Sequence, residues 1–265
     1  MLLLIDAGNS SIKWALASAE TTATPDRAAW LHVGETTYDE LETLHGLLQK
    51  KRSEHAIKRV IISNVAGKAA QENIAAQIKK LYPEPDRIAW FTSAPSLAGV
   101  TNRYVNFTQL GSDRFASLIG ARSLFPNKNL IVVTCGTATT IDTLTADGTF
   151  IGGMILPGLR LMANALADNT ALLPDIGQMT ETIPAFATDT INAIRNGCMT
   201  AQAGAIEHAV MVHARHLQNV QCILSGGAAK LVFPYLSIPA QIVDNLVLVG
   251  LHAADAGKCA LDPLC

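Results

Sequence analysis

The chain opens on four apolar residues, Leu2-Leu3-Leu4-Ile5, then a polar bend, Asp6-Ala7-Gly8-Asn9-Ser10, then a resumed apolar pattern from Ser11 to Leu16. An apolar run bounded by turn formers predicts a strand buried on both faces, and the stretch as a whole predicts a β-hairpin. Polar residues 19–27, with Pro25, predict a loop, and 28–33 a strand. Leu41, Leu44, Leu47 and Leu48 recur at helical spacing within 38–51, giving an amphipathic helix. Strands at 59–65 and 87–92 flank a second helix marked by Ala70, Ile74, Ile78 and Leu81. The polar loop 101–110 leads to Gly111-Ser112-Asp113-Arg114, and 115–124 has a helical pattern, which sets Ser112 or Asp113 at a helix N-terminus. The second half alternates likewise, with strands at 130–134, 139–144 and 150–156 and a helix at 159–167. After a long Pro-containing loop at 168–186, a candidate for movement on binding, a helical stretch over 188–217 is expected to break or bend near Gly197. A strand at 221–224, the small-residue turn Ser225-Gly226-Gly227 opening a helix, a strand at 240–243 and a helix at 246–256 capped by Asp244-Asn245 complete the chain. Strands alternating with helices imply an α/β fold with parallel or mixed sheets, begun by an antiparallel hairpin.

The first bend gathers a carboxylate, a glycine and small polar groups, with Lys13 just after it. That composition suits phosphate oxygens and their metal ion, and equally an ordinary turn. A repeat changes the balance. Laying residues 5–12 over Val133-Thr134-Cys135-Gly136-Thr137-Ala138-Thr139-Thr140 puts Gly8 and Gly136 in register, each preceded by an apolar run. Two such bends, one per half, imply a duplicated fold closing on a nucleotide.

Composition narrows the class further. The 265 residues suit two domains, and 49% apolar with only 5% aromatic residues describes an aliphatic α/β core, not a platform for stacking bases. A net charge of -2 gives no electrostatic reason to expect nucleic acid as a partner. Asp6 arrives too early for a signal peptide and no apolar run is long enough to span a bilayer, so no membrane is expected and a cytoplasmic location is. Cys135, Cys198, Cys222, Cys259 and Cys265 are odd in number and lack a CxxC pair, which fits reduced thiols, Cys135 packing as a small apolar residue. His208, His213 and His216 have no acidic or Cys ligand at suitable spacing and read as a solvated or interface helix face.

Five segments, Asp6-Ala7-Gly8-Asn9-Ser10, Gly111-Ser112-Asp113-Arg114, Gly136-Thr137-Ala138-Thr139-Thr140-Ile141-Asp142, Gly152-Gly153-Met154-Ile155-Leu156-Pro157-Gly158 and Ser225-Gly226-Gly227, follow one another in the chain. Their order and spacing resemble type III pantothenate kinase, also known as the Bvg accessory factor family, of the actin, sugar kinase and heat-shock ATPase superfamily. The resemblance implies two duplicated ribonuclease H-like (actin-like ATPase) domains, mixed sheets flanked by helices, with the ligand cleft between them. The domains are expected at 1–115 and 116–265. It implies ATP-dependent phosphorylation of pantothenate to 4'-phosphopantothenate, the first step of coenzyme A biosynthesis. ATP phosphates then fall to Asp6, Ala7, Gly8, Asn9, Ser10, Ser11, Ile12 and Lys13 with Gly136 and Thr137, and Mg²⁺ to Asp6, directly or through water.

A kinase acting on a hydroxyl uses a carboxylate within hydrogen-bond reach to accept its proton, and Asp113 resembles that base, although an aspartate there can also be only a helix cap. The resemblance assigns pantothenate contacts to Tyr104, Gly111, Ser112, Asp113, Arg114 and Thr190, the planar fork of Arg114 suiting a carboxylate. It also implies a homodimer, and the Ser225-Gly226-Gly227 turn lying against adenosine. One departure stands out. Where the family usually has an aspartate that helps bind a monovalent cation, two residues before the second glycine, this chain has Thr134. That removes a formal charge, and dependence on K⁺ or NH₄⁺ is still expected, with a weaker or carbonyl-completed site. Two rivals remain: another small-molecule kinase of the superfamily, and a nucleotide-binding regulatory accessory protein without turnover. The Gly-Ser-Asp-Arg segment and short length weigh against the first, and retention of Asp6, Lys13, Asp113 and Arg114 against the second.

Overall fold

The computed structural model describes residues 1–18, 30–52, 57–84, 87–177 and 186–256. The loop expected at 19–27, the first residues of the strand expected at 28–33 and part of the 168–186 loop lie outside them. Two compact units emerge: Met1–Pro126 with Asn245–Cys265, and Asn127–Asp244.

In the first unit the apolar opening run forms β1 (Leu2–Ala7), and β2 (Ile12–Ala17) returns antiparallel to it, as the pattern predicts. β3 (Trp30–Thr36) pairs antiparallel with β2. α1 (Leu41–Arg52) leads to β4 (Arg59–Asn64), parallel to β1, and α2 (Lys68–Leu81) to β5 (Ile88–Phe91), parallel to β4. The sheet order is β3-β2-β1-β4-β5. Leu3, Ile5, Trp14, Leu16, Val60 and Ile62 bury one face under Leu41, Leu44 and Leu48 of α1 and Ile74, Ile78 and Leu81 of α2. Such aliphatic burial, roughly 1.5–3 kcal/mol per side chain, is the main force holding helix to sheet. A short hairpin, β6 (Ser96–Leu97) and β7 (Val100–Asn102), turns through Ala98 and Gly99, both at positive φ, and α3 (Ser112–Leu124) follows.

The second unit repeats this plan. β8 (Asn129–Cys135), β9 (Ala138–Leu144) and β10 (Thr149–Pro157) form an antiparallel meander. α4 (Leu159–Asn169) and α5 (Thr190–Ala214) precede β11 (Val220–Ser225), parallel to β8. The short α6 (Ala229–Val232) precedes β12 (Ala240–Ile242), parallel to β11. These strands run β12-β11-β8-β9-β10, so first, second, third, fourth and fifth strands take the same places and directions as in the first unit. α7 (Leu246–Ala256) then rejoins the first unit, packing against α3, β1 and β2. No helix among the described residues is long and apolar enough to cross a membrane.

Two sequence expectations change here. A division after residue 115 would cut α3, which is buried almost all round and packs with α7 and β4. The first unit therefore extends to Pro126 and takes back the chain from Asn245. The expected break at Gly197 does not occur, since α5 runs unbroken from Thr190 to Ala214. A helical glycine costs only about 1 kcal/mol relative to alanine, and burial of Ile194, Cys198 and Met199 beside it outweighs that.

Candidate active site

Strand register assembles the first part of the site. Asp6 lies opposite Lys13, Lys13 opposite Glu35, and Asp6 beside Ser63. Directly paired residues project to the same face of a sheet, so Glu35, Lys13, Asp6 and Ser63 form one row across four strands. The row continues into a helix: the Ser63 hydroxyl lies 2.9 Å from that of Ser112, the first residue of α3, in a buried contact. Asp113 follows at once, its Oδ1 accepting the Arg114 backbone N–H at 2.8 Å. The carboxyl folds back over Gly111, where a Cβ would stand 2.6 Å from Oδ1. A side chain at 111 would require the Asp113 carboxyl to move.

The electrostatics fit two acids sharing a water-poor place. The Asp6 carboxyl is pushed up to about 7, first by burial and then by the negative charge of Asp113; Lys13 opposes the shift, and Glu35 adds to it. Asp113 is also raised by burial, against the stabilising backbone N–H and positive charge of Arg114. Asp6, Lys13 and Asp113 are thus brought together as the motifs imply. Glu35 was not visible as a member, because its only link to the others is pairing register.

The bend after β1 is closed by Gly8 N–H donating to Ser11 O at 3.1 Å. The Tyr38 hydroxyl donates to Gly8 O at 2.7 Å, Val65 N–H to Ala7 O at 3.1 Å and the Ser11 hydroxyl to Glu35 Oε1 at 2.5 Å. Ala7 and Ile12 are wholly buried, so their side chains belong to the core and only their backbone can meet a ligand; Asn9 and Ser10 are exposed at the tip. The bend after β8 is closed by Gly136 N–H donating to Ala138 O at 3.0 Å, with Gly136 and Thr137 exposed. Its carbonyls accept from Gly158 N–H (Thr137 O, 3.0 Å) and Ala228 N–H (Cys135 O, 3.1 Å).

The flanks of the second bend are tight. A Cβ at Gly158 would stand 2.2 Å from Gly136 O, and one at Gly226, whose φ is +93°, 2.4 Å from Cys135 O. Cβ atoms at Gly8 and Gly136 would meet nothing nearer than 3.4 and 3.5 Å. The fold itself leaves room for a methyl at both tips. The buried Cys135 thiol, pushed up to about 12 by burial, is a packing group.

Thr134 pairs directly with Thr140 and with Ser225, setting three hydroxyls in a row on the sheet face opposite Ile131, Val133 and Ile141. Thr140 Oγ1 is buried and makes no hydrogen bond. Among the described residues, no three His, Cys, Asp or Glu side chains are arranged around a common metal position.

Beside Asp113, the guanidinium of Arg114 lies 5.6 Å from the centre of the Tyr104 ring. Arg114 is buried, an environment in which such a cation–π contact is strongest. A pocket of about 270 Å³ opens at the N-terminal end of α3, lined by Asn64, Thr92, Ser93, Thr108, Gly111 and Ser112 among others. Thr190 belongs to the second unit, as the first residue of α5. Its cap is Asp189, which accepts Asn192 N–H at 2.9 Å, so the exposed Thr190 side chain is not needed for capping.

A family model described as type III pantothenate kinase matches residues 2–212. The chain is 50% identical over 256 residues to a type III pantothenate kinase of Herminiimonas arsenicoxydans, covering 95% of this chain and 96% of that one. It is 51% identical over 256 residues, at the same coverage, to one from Janthinobacterium sp. (strain Marseille). Among solved structures it is similar in fold to a putative 2-dehydro-3-deoxygalactonokinase from Sinorhizobium meliloti, with a TM-score of 0.56, 15% identity and coverage of 96% and 98%.

Proposed function

The chain belongs to the type III pantothenate kinase family and phosphorylates pantothenate, and from that premise we propose which of its residues do the work. Asp113 is the base. The primary hydroxyl of pantothenate attacks the γ-phosphorus of ATP, its proton passes to the Asp113 carboxylate, and the bond to the bridging oxygen breaks to release ADP. A carboxyl raised by burial takes a proton more readily than a solvated one, while the backbone N–H and charge of Arg114 oppose that rise. The observation that supports this reading is the charge of Asp113 acting on Asp6, with Ser112 meeting Ser63 at the end of the row that holds Asp6 and Lys13.

Gly8 to Ser11, with the backbone of Ala7 and Ile12, grips phosphate oxygens, and Lys13 adds positive charge. Gly136 and Thr137 supply a second grip, and the Ser225-Gly226-Gly227 turn a wall for adenosine. Asp6 suits a divalent cation: it is a buried acid raised to about 7, with the second carboxylate of Asp113 near it and Lys13 only partly opposing the rise. We propose that it holds Mg²⁺, directly or through water; when bound, that ion offsets the negative charge of the transferring phosphoryl group. Arg114 takes the pantothenate carboxylate, with Tyr104, Gly111, Ser112 and Thr190 as further contacts. Near Thr134, neutral hydroxyls including the unpartnered Thr140 Oγ1 suit K⁺ or NH₄⁺ better than a multivalent ion.

The same proposal extends to assembly, place and ancestry. Exposed apolar Leu161 and Leu166 on α4 and Ile191 and Met211 on α5 support a homodimer. Free, buried Cys135, Cys198 and Cys222 suit a reducing cytoplasm. The repeated strand plan supports the actin, sugar kinase and heat-shock ATPase superfamily, and the second family label, Bvg accessory factor, goes with it.

The test is ADP release by purified protein supplied with ATP, Mg²⁺ and K⁺. Release should require pantothenate; equal release with sugars or acetate, or none with any acceptor, would overturn the reading.

A further inference from the structure

We propose that Tyr38 and Glu35 are positioning residues for the phosphate-gripping bend, holding it shut from the side of β3. Neither belongs to any of the sequence motifs. The bend is closed by one backbone hydrogen bond, Gly8 N–H to Ser11 O at 3.1 Å. The two residues that make this bond are the two that the β3 side holds: Tyr38 donates its hydroxyl to Gly8 O at 2.7 Å, and Glu35 Oε1 accepts the Ser11 hydroxyl at 2.5 Å. One partner acts at each end of the closing bond, so the exposed tip, Asn9 and Ser10, is spanned between two fixed points.

The brace is itself anchored. Between its two members Thr36 ends β3 as a buried residue, and its hydroxyl donates to Glu40 O at 3.3 Å, while Glu40 N–H donates to Thr37 O at 3.2 Å. Residues 35–40 therefore form a short, internally bonded arm running from the sheet edge into α1. Cross-strand pairing of Glu35 with Lys13 fixes the arm's register against the bend. A flexible bend would have to be ordered by the nucleotide at a cost in affinity; a bend already held presents its backbone donors in place. The brace thus acts on nucleotide affinity and leaves the acceptor alcohol untouched.

This inference rests on the reading that the bend grips ATP, and the experiment separates the two. Tyr38→Phe removes one hydroxyl, Glu35→Ala removes the acceptor, Glu35→Gln keeps an acceptor oxygen while removing the charge, and Lys13→Met removes a proposed phosphate contact. KM for ATP and for pantothenate, ADP affinity by calorimetry, and Tm are measured on the full chain. Tyr38→Phe and Glu35→Ala should each raise the ATP KM and ADP Kd about 3–10-fold, with pantothenate KM unchanged and Glu35→Gln within about twofold of the parent, the scale of one hydrogen bond. Equal rises in both KM values, or unchanged nucleotide affinity in both Tyr38→Phe and Glu35→Ala, overturn the brace. If Lys13→Met alone weakens ADP, only the brace fails. If Lys13→Met also leaves ADP affinity unchanged, the phosphate-grip reading fails and takes the brace with it.

Discussion

The bend after β1 carries an aspartate before it and a lysine after it, and the side chains of Tyr38 and Glu35 hold it together with the backbone N–H of Val65. The bend after β8 has no charged residue from Thr134 to Thr140, and what holds it is backbone from Gly158 and Ala228. Topologically they are the same object, the tip of the first hairpin of five strands arranged in the same order, as the matching sheets establish. Duplication preserved the shape and let the means of support diverge. In the first unit, the side chains of Asp6 and Lys13 beside the bend carry charge. In the second, the flanking segments press so close that Gly158 and Gly226 can have no side chain at all. A shared scaffold therefore does not imply shared chemistry, which has to be located residue by residue.

The largest expected effect tests whether the chemistry is confined to the first unit. Asp113→Asn should lower kcat by roughly a hundredfold or more while leaving the melting temperature and ADP affinity near those of the parent. A loss below tenfold in steady-state turnover would mean that the base lies elsewhere.

Stability gives the next contrast. Gly226→Ala puts a methyl against Cys135 O at a positive φ, and about 2–4 kcal/mol of unfolding free energy should be lost in urea titrations. Gly8→Ala meets nothing closer than 3.4 Å and should cost under about 1 kcal/mol, yet weaken ATP binding. Equal stability losses in the two variants would erase the distinction between an open tip and a crowded flank.

The pH dependence of the first bend has a definite sign. With the folded Asp6 carboxyl at about 7 and an ordinary value of 3.8 when unfolded, the native state holds the proton more tightly. Its favourable contribution is therefore complete below 3.8 and fades as pH rises through 7. Asp6→Asn should accordingly stabilise the metal-free protein at pH 8 by about 1–3 kcal/mol and make little difference near pH 4, even as it loses activity. A variant less stable than the parent at pH 8 would show that the buried charge is already compensated. The smallest effect concerns the second bend: replacing K⁺ or NH₄⁺ by Na⁺ should lower turnover several-fold, the weak response expected of neutral ligands. Rates indifferent to all three ions would remove the cation proposal.

Much of this was legible in the residues themselves. The run Leu2–Ile5 followed by Asp6-Ala7-Gly8 dictates a buried strand and a tight bend from local composition alone, and its echo at Leu130 to Thr140 announces the duplication. The Gly-Ser-Asp-Arg segment marks a helix start with an acid on it, since small and acidic residues satisfy the first unpaired N–H groups. At Gly197, by contrast, the expected break does not occur, because a local penalty of about 1 kcal/mol cannot be weighed without knowing what its neighbours bury. The domain division missed for the same reason: α7 is far along the chain, and only its contact with α3 assigns it to the first unit.

The sequence by itself determined the periodic alternation, the two bends and the residue types at their tips, all encoded within a few positions and enforced by strand geometry and turn conformations. Tertiary structure alone decided that Glu35, Lys13, Asp6 and Ser63 share a row, that Ser112 meets Ser63, and that Gly158 and Gly226 flank the second bend. Those neighbours come from pairing register and sheet order, which are fixed by burying whole faces together, and a shift of one residue would send Glu35 to the other side without altering any local pattern.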